Sequence, residues 1–322
     1  MLSRVADAVY WTSRYIERAE NVARCIDVNL LLTLDLGEGW ADQWMPLINT
    51  TGSHELFKER YGSPTRDNVL RFLTFDEKNP NSIYSCVQAA RQNARSVREV
   101  MSLASWEELN RFYLLVRERR AAGDPDLAIY DEVKRASQLL IGVIDTTQSH
   151  REAWHFSRLG RLIERGDQTS RILDVKYFIL LPTLQDIGSS LDITQWTALL
   201  KSASALGMYR REHHRIVPQK VVEFLVLNRD FPRSMKFCVT RAENSLHRIT
   251  GTPQDVYATP AQQELGKLRE ELEFSQAETI MQNGLHEFID NFQDGLNRVG
   301  NAIASNFFAY QPEPVSSQSQ SQ

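Results

Sequence analysis

The 322-residue sequence lacks most of the features that announce a particular chemistry. Its three cysteines, Cys25, Cys86 and Cys238, are too few and too scattered for a disulfide framework or a structural zinc site. They fit a reducing, cytoplasmic setting. No apolar run approaches the ~18 residues needed to span a bilayer. The opening MLSRVADAVYW lacks the long uncharged apolar core of a signal peptide. A net charge of −4 argues against a general nucleic-acid or anionic-membrane binder. There is no Gly-rich phosphate loop and no Gly-x-Ser-x-Gly elbow. Glu152-x-x-His155 has the spacing used by di-iron helical bundles, but those need two such pairs, and no other histidine follows a glutamate by three. No metal, no cofactor and no catalytic residue is therefore expected.

Helical periodicity dominates, and no convincing strand alternation occurs, which predicts an all-α fold. Helices are predicted from about Ser3 to Leu34, around Trp44 and Leu47, from Ser63-Pro64 to about Thr74, and from Ser82 through Met101. Ser105 and Glu108 suggest a capping box for a helix to about Arg120, followed by 126–147, 151–178, 192–212, 218–227 and 231–249. The last two run from Pro260 to about Glu273 and from Ala277 to about Phe308. The final QPEPVSSQSQSQ is low-complexity, and residues 311–322 are expected to be a disordered tail.

One stretch occurs twice. RYIERAENVARCIDV (14–28) aligns without a gap on RLIERGDQTSRILDV (161–175), with seven of fifteen positions identical. The charged residues match better than the apolar ones. Further on, 69–90 aligns on 221–242 at an offset of 152, with Pro80/Pro232, Ser82/Ser234 and Cys86/Cys238 among the matches. Trp44 falls on Trp196 at the same offset. The change of offset places an insertion in 180–192. The pattern predicts an internal duplication: a first helical repeat at 1–148, a second at 149–310, packed about an approximate twofold with the two Glu-Arg helices near the junction.

At 100° per residue, Arg14, Glu17, Arg18 and Asn21 share one side of the first Glu-Arg helix, with Arg24 at its edge. The second copy presents Arg161, Glu164, Arg165, Gln168 and Arg171. One turn later that side becomes apolar, so the charges form a partly buried polar band rather than a solvated face. Glu17 has Arg14 and Asn21 within local reach, while Glu20, Asp27, Asp167 and Asp174 should point elsewhere. Each copy has more arginine than acid. The surplus can meet acids across the axis, as a lattice that fixes helix register, or it can bind a partner or an anionic ligand. Catalysis ranks last, because a carboxylate among arginines is a poor base near neutral pH.

TSRYIERAENVARCIDV, NPNSIYSCVQAARQNARSVRE, WEELN, SRLGRLIERGDQTSRILDV, LDITQWTALLKSASA and FPRSMKFC together resemble the bacterial alpha-E domain family, from Ser3 to about Phe308. The first copy departs from the expected pattern, with Thr12-Ser13 where the second has Leu159-Gly160. The resemblance implies an all-helical fold, in a family for which no catalytic activity is established. It also implies a setting beside a circularly permuted ATP-grasp ligase, and often a transglutaminase-like peptidase. The expected function is that of a non-catalytic or co-catalytic helical partner in ATP-dependent amide or peptide-bond formation. Its Glu-Arg helices would bind the partner or an anionic peptide or acyl-phosphate substrate. The alternatives are a stand-alone transferase or ligase using the same cleft, and a purely structural scaffold.

Overall fold

A computed structural model describes residues 1–36, 44–179 and 190–309. Among these the chain is all-α, with no strand. The helices are α1 (Ser3–Leu36), α2 (Met45–Thr50), α3 (His54–Tyr61), α4 (Arg66–Thr74), α5 (Ile83–Ser96), α6 (Leu103–Ala122), α7 (Leu127–Thr147) and α8 (Glu152–Ile179). They continue as α9 (Ser190–Ser202), α10 (Leu206–His213), α11 (Pro218–Val222), α12 (Met235–Thr250), α13 (Pro260–Phe274), α14 (Ala277–Asn283) and α15 (Leu285–Ile303). Two π-helical turns extend this set, at Glu223–Leu227 and Ala304–Phe308.

Local chemistry explains many of the starts. Ser82 and Ser234 occupy matching places and each accepts a hydrogen bond from the backbone N–H three residues on, capping α5 and α12. Thr259 and Gln262 form a capping box ahead of α13, with Pro260 at the first turn.

Several predicted boundaries move. The cap of α6 is Ser102, which accepts from the Ser105 N–H, so Ser105 and Glu108 do not form a capping box. Thr65, not Ser63, caps α4. The single helix predicted over 192–212 divides at Ser204, whose φ is 51°. The last predicted helix divides at Gly284, whose φ of 110° suits glycine. The helix after Ser82 ends at Ser96, and a 3₁₀ turn takes over at Arg98–Val100. The short α3 has no counterpart among the predicted helices. The predicted break at Gly37–Gly39, most of the proposed insertion and the tail lie outside the described residues.

Four helices form the centre. α1 packs on α5, α8 packs on α12, and α1 and α8 pack on each other. Contacts between α1 and α8 advance in the same direction along both helices. Ser13 meets Ser157 (2.7 Å), Arg14 meets Glu164 (2.8 Å) and Glu17 meets Arg165 (2.8 Å), so the two run parallel. By contrast, the α8–α12 pair runs antiparallel: Thr169 donates to the Arg233 carbonyl (2.8 Å), whereas Gly166 lies against Cys238. Gly160 makes the α1–α8 approach possible, because a Cβ there would overlap the Tyr10 carbonyl oxygen.

Two large apolar clusters flank the centre. One gathers residues from Ile16 to Trp154 and includes Ala19, Ile26, Phe72, Cys86 and Tyr130. The other gathers Tyr10 and residues from Leu159 to Ile303, including Cys238 and Phe292. A third, small cluster joins the start of α1 to Phe156, where Phe307 and Phe308 also pack. α1 is therefore covered on more than one side, which accounts for a polar band that is buried rather than wet.

Candidate functional site

The polar band sits where α1 and α8 meet. Glu17 and Glu164 have no solvent exposure. Each is met by arginines of the other helix. Glu164 Oε2 accepts from Arg14 Nε (2.8 Å) and Arg18 Nη2 (3.0 Å), and its Oε1 accepts from Arg18 Nε (2.7 Å) and Gln168 Nε2 (3.1 Å). Glu17 Oε1 accepts from Arg165 Nε (2.9 Å), Arg233 Nη1 (2.9 Å) and Asn21 Nδ2 (3.2 Å), while Oε2 accepts from Arg165 Nη2 (2.8 Å). The forked, charge-assisted geometry is what a buried carboxylate requires.

The electrostatics follow. Burial by itself would raise the Glu164 pKa, but the charges of Arg18 and Arg14 outweigh it and hold the carboxyl at about 2. Glu17 is likewise lowered against burial, chiefly by Arg165 and Arg233. Both are fixed as carboxylates. The guanidinium of Arg165 is stabilised in turn: Glu17 more than offsets its burial.

The ten residues singled out from the sequence divide as follows. Arg14, Glu17, Arg18, Asn21, Glu164, Arg165 and Gln168 form the core of the lattice. Arg24 bonds Glu20 on its own helix and reaches Ser204. Arg171 bonds Asp167 (2.9 Å), also on its own helix. Arg161 stands apart: it pairs with Asp145 only at 3.8 Å, its Nε is buried without a partner among the described residues, and burial together with Arg165 lowers its pKa.

Three expectations need correcting. Glu17 does not pair with Arg14, because the parallel packing offers it Arg165 across the interface. Glu20 does not point away: it accepts from Arg233 Nη2 (2.7 Å) and Ser137 Oγ (2.7 Å). Asp167 holds Arg171 at the rim of the band. Asp27 and Asp174 do lie outside it, on Lys134 (2.6 Å) and His286 (2.7 Å).

Arg233 was missed, although it is central. It is buried and bridges Glu17, Asn21 Oδ1 (3.0 Å) and Glu20. The available signal was its position, immediately before the Ser234 cap and opposite Asn81 in the 152-residue offset. Asn81 reaches the other end of the lattice, accepting from Arg18 Nη1 (2.8 Å). There the side chains leave a partly open cavity of about 150 Å³, lined by Arg18, Asn81, Asp167, Gln168, Arg171, Val22, Thr50 and Thr51.

The sequence profile of Alpha-E, described as a predicted alpha-helical domain with a conserved ER motif, matches residues 1–308. The chain belongs to the Alpha-E family. Glu17-Arg18 and Glu164-Arg165 are its two Glu-Arg pairs, and in this Alpha-E chain each glutamate binds the arginine of the other pair. Among curated proteins, it is similar to uncharacterised proteins of Mycobacterium bovis and Mycobacterium tuberculosis, at 24% identity over 275 residues. The match covers 77% of this chain and 30% of each relative, so the chain spans less than a third of their length. No solved structure matches it.

Other chemistry has little footing. Cys86 and Cys238 are buried, and burial pushes both thiols up to about 12. Their Sγ atoms donate to the carbonyls of Pro80 (3.5 Å) and Pro232 (3.6 Å). Glu152 pairs with the Met1 ammonium (2.9 Å). Asp174, His286 and Asp290 bring three potential metal-ligand atoms within 4.8 Å of one another. In the structure Asp174 and His286 form an ion pair, which raises the histidine pKa. No helix among the described residues is long and apolar enough to cross a membrane.

Proposed function

We propose that this Alpha-E chain is a non-catalytic helical partner of an ATP-grasp-type amide or peptide ligase, with its Glu-Arg helices as an internal frame and the cavity beside them as the contact for a guest. The observation that carries the non-catalytic part is the commitment of Glu17 and Glu164. Each is buried, ionised and surrounded by four hydrogen bonds. A carboxylate held this way neither takes nor gives a proton near neutral pH. The ligase setting comes from the family resemblance, and so does a transglutaminase-like peptidase in the same assembly. The mycobacterial relatives are compatible with it, since their matched region is part of a much longer chain. An anionic peptide or acyl phosphate would have to use the rim arginines, because Arg14, Arg18 and Arg165 are already bound to acids.

A structural reading has its own support: the lattice joins α1 to α8 directly, glutamate to arginine. The two readings separate in one experiment. The chain is mixed with a cognate ATP-grasp ligase, and co-elution and ligase turnover are measured with wild type and with Arg171→Ala, which spares the core of the lattice. The partner reading expects co-elution and faster turnover with wild type, and no turnover by the chain alone. Product formed by the chain alone, or a ligase that neither binds nor responds, would reject it.

A further inference from the structure

At one end of the lattice the Arg233 guanidinium is buried, and at the other a cavity lies beside Asn81. Asn81 and Arg233 correspond in the 152-residue offset, and each directly precedes a serine that caps a helix. Both side chains reach into the band between α1 and α8. Arg233 is long and donates to Glu17, Asn21 Oδ1 and Glu20. Asn81 is short: its Oδ1 accepts from Arg18 Nη1, and its Nδ2 donates to the Thr51 carbonyl (2.9 Å) and Ser53 Oγ (3.2 Å). Beyond it lies the cavity of about 150 Å³.

The acceptors that Arg233 uses have equivalents in the cavity wall. In the 147-residue offset Asn21 corresponds to Gln168 and Glu20 to Asp167. Gln168 donates its Nε2 to Glu164 (3.1 Å), and among the described residues its Oε1 has no donor. The Asp167 carboxylate accepts from Arg171 through Oδ2 (2.9 Å), and among the described residues its other oxygen has no donor. Both residues line the cavity. The geometry points to a guanidinium-binding site here, one that takes a free guanidino compound or the side chain of an arginine in a peptide, with Asp167 and Gln168 Oε1 as its acceptors.

Size agrees with this guest. A cavity of this volume can hold benzene, with its six heavy atoms, and methylguanidinium has five. Among the described residues the terminal nitrogens of Arg171 have no partner, which makes an oxyanion the competing guest.

The inference does not rest on the ligase reading, and its test needs no ligase. Methylguanidine, N-acetyl-arginine amide, methylammonium and inorganic phosphate are titrated into the full chain by calorimetry. Saturable binding of methylguanidine, without binding of methylammonium, is the expected result. Asn81→Arg should abolish it by filling the cavity, with Tm at or above wild type. Asp167→Asn, which leaves the space open, should weaken binding at least tenfold. Tighter binding of N-acetyl-arginine amide than of methylguanidine assigns the site to arginine in a peptide, and equal binding to a free guanidino group. At the opposite end, Arg233→Ala should lose thermal stability and regain part of it in methylguanidine. Binding of phosphate in place of methylguanidine, unchanged binding in both Asn81→Arg and Asp167→Asn, or no guanidine binding at all would overturn the assignment.

Discussion

Replacing Glu17 by glutamine keeps the shape of the side chain and removes its charge. In the wild type that carboxylate receives four hydrogen bonds, two from Arg165, one from Arg233 and one from Asn21. Glutamine has one acceptor oxygen and puts an NH₂ where the other oxygen was, so an arginine N–H would face a donor. Arg165 and Arg233 would then be buried with one fewer counter-charge. Removing one member of a buried ion pair costs about 3–5 kcal/mol, far more than the ~0.2–1 kcal/mol of an exposed pair. For a chain of this size the loss corresponds to a fall in Tm of roughly 4–7 °C. Urea unfolding followed by far-UV circular dichroism, backed by a thermal melt, measures it. The double variant Glu17→Gln/Arg233→Gln should cost less than the sum of the single changes, since each removes the other's misfit. A loss for Glu17→Gln below ~1 kcal/mol, or strict additivity in the double variant, would show that the lattice does not hold α1 to α8.

Three further outcomes follow from the same structure. The Glu164 carboxyl lies at about 2, against an ordinary value of 4.5. Because its pKa is depressed, its stabilisation is complete above the ordinary value and is lost as pH falls toward 2. Unfolding free energy should therefore drop by about 3 kcal/mol over that window on account of this group, and a flat profile there would contradict the pairing. Gly160→Ala should destabilise the chain by about 3 kcal/mol or more, since the new Cβ would meet the Tyr10 backbone, which cannot yield as a side chain can; a near-neutral Tm would show that α1 and α8 approach less closely. Cys86 and Cys238 should resist a thiol reagent in the folded chain and react once it is unfolded, and fast labelling of either under native conditions would refute their burial.

Much of this fold was legible because helix signals are local. Serine and proline starts marked α5, α12 and α13, and the apolar return after each charged stretch revealed a band under cover. The Glu-Arg residues themselves were found by repetition. What escaped was which residue each charge would meet. Glu17 had Arg14 within reach on its own helix, and only the parallel α1–α8 packing offers Arg165 instead. Glu20 looked peripheral on a helical wheel, because the wheel of one helix does not contain Ser137 or Arg233. Arg233 lies outside both Glu-Arg stretches and enters the lattice from the loop ahead of α12. Ser204 and Gly284 split two predicted helices through positive-φ backbone that periodicity does not register.

The crossed pairing also bears on how such a chain could be built. Each glutamate is neutralised by the opposite helix, and exchanging the two helices turns the bond from Arg18 to Glu164 into the bond from Arg165 to Glu17. A shorter polypeptide with one Glu-Arg helix would carry both members of this handshake, but could complete it only with a second copy of itself. Its folding would then depend on concentration. Carrying both helices in one chain makes the encounter intramolecular, and it frees the two ends of the lattice to diverge, one closed by Arg233 and the other left with room beside Asn81.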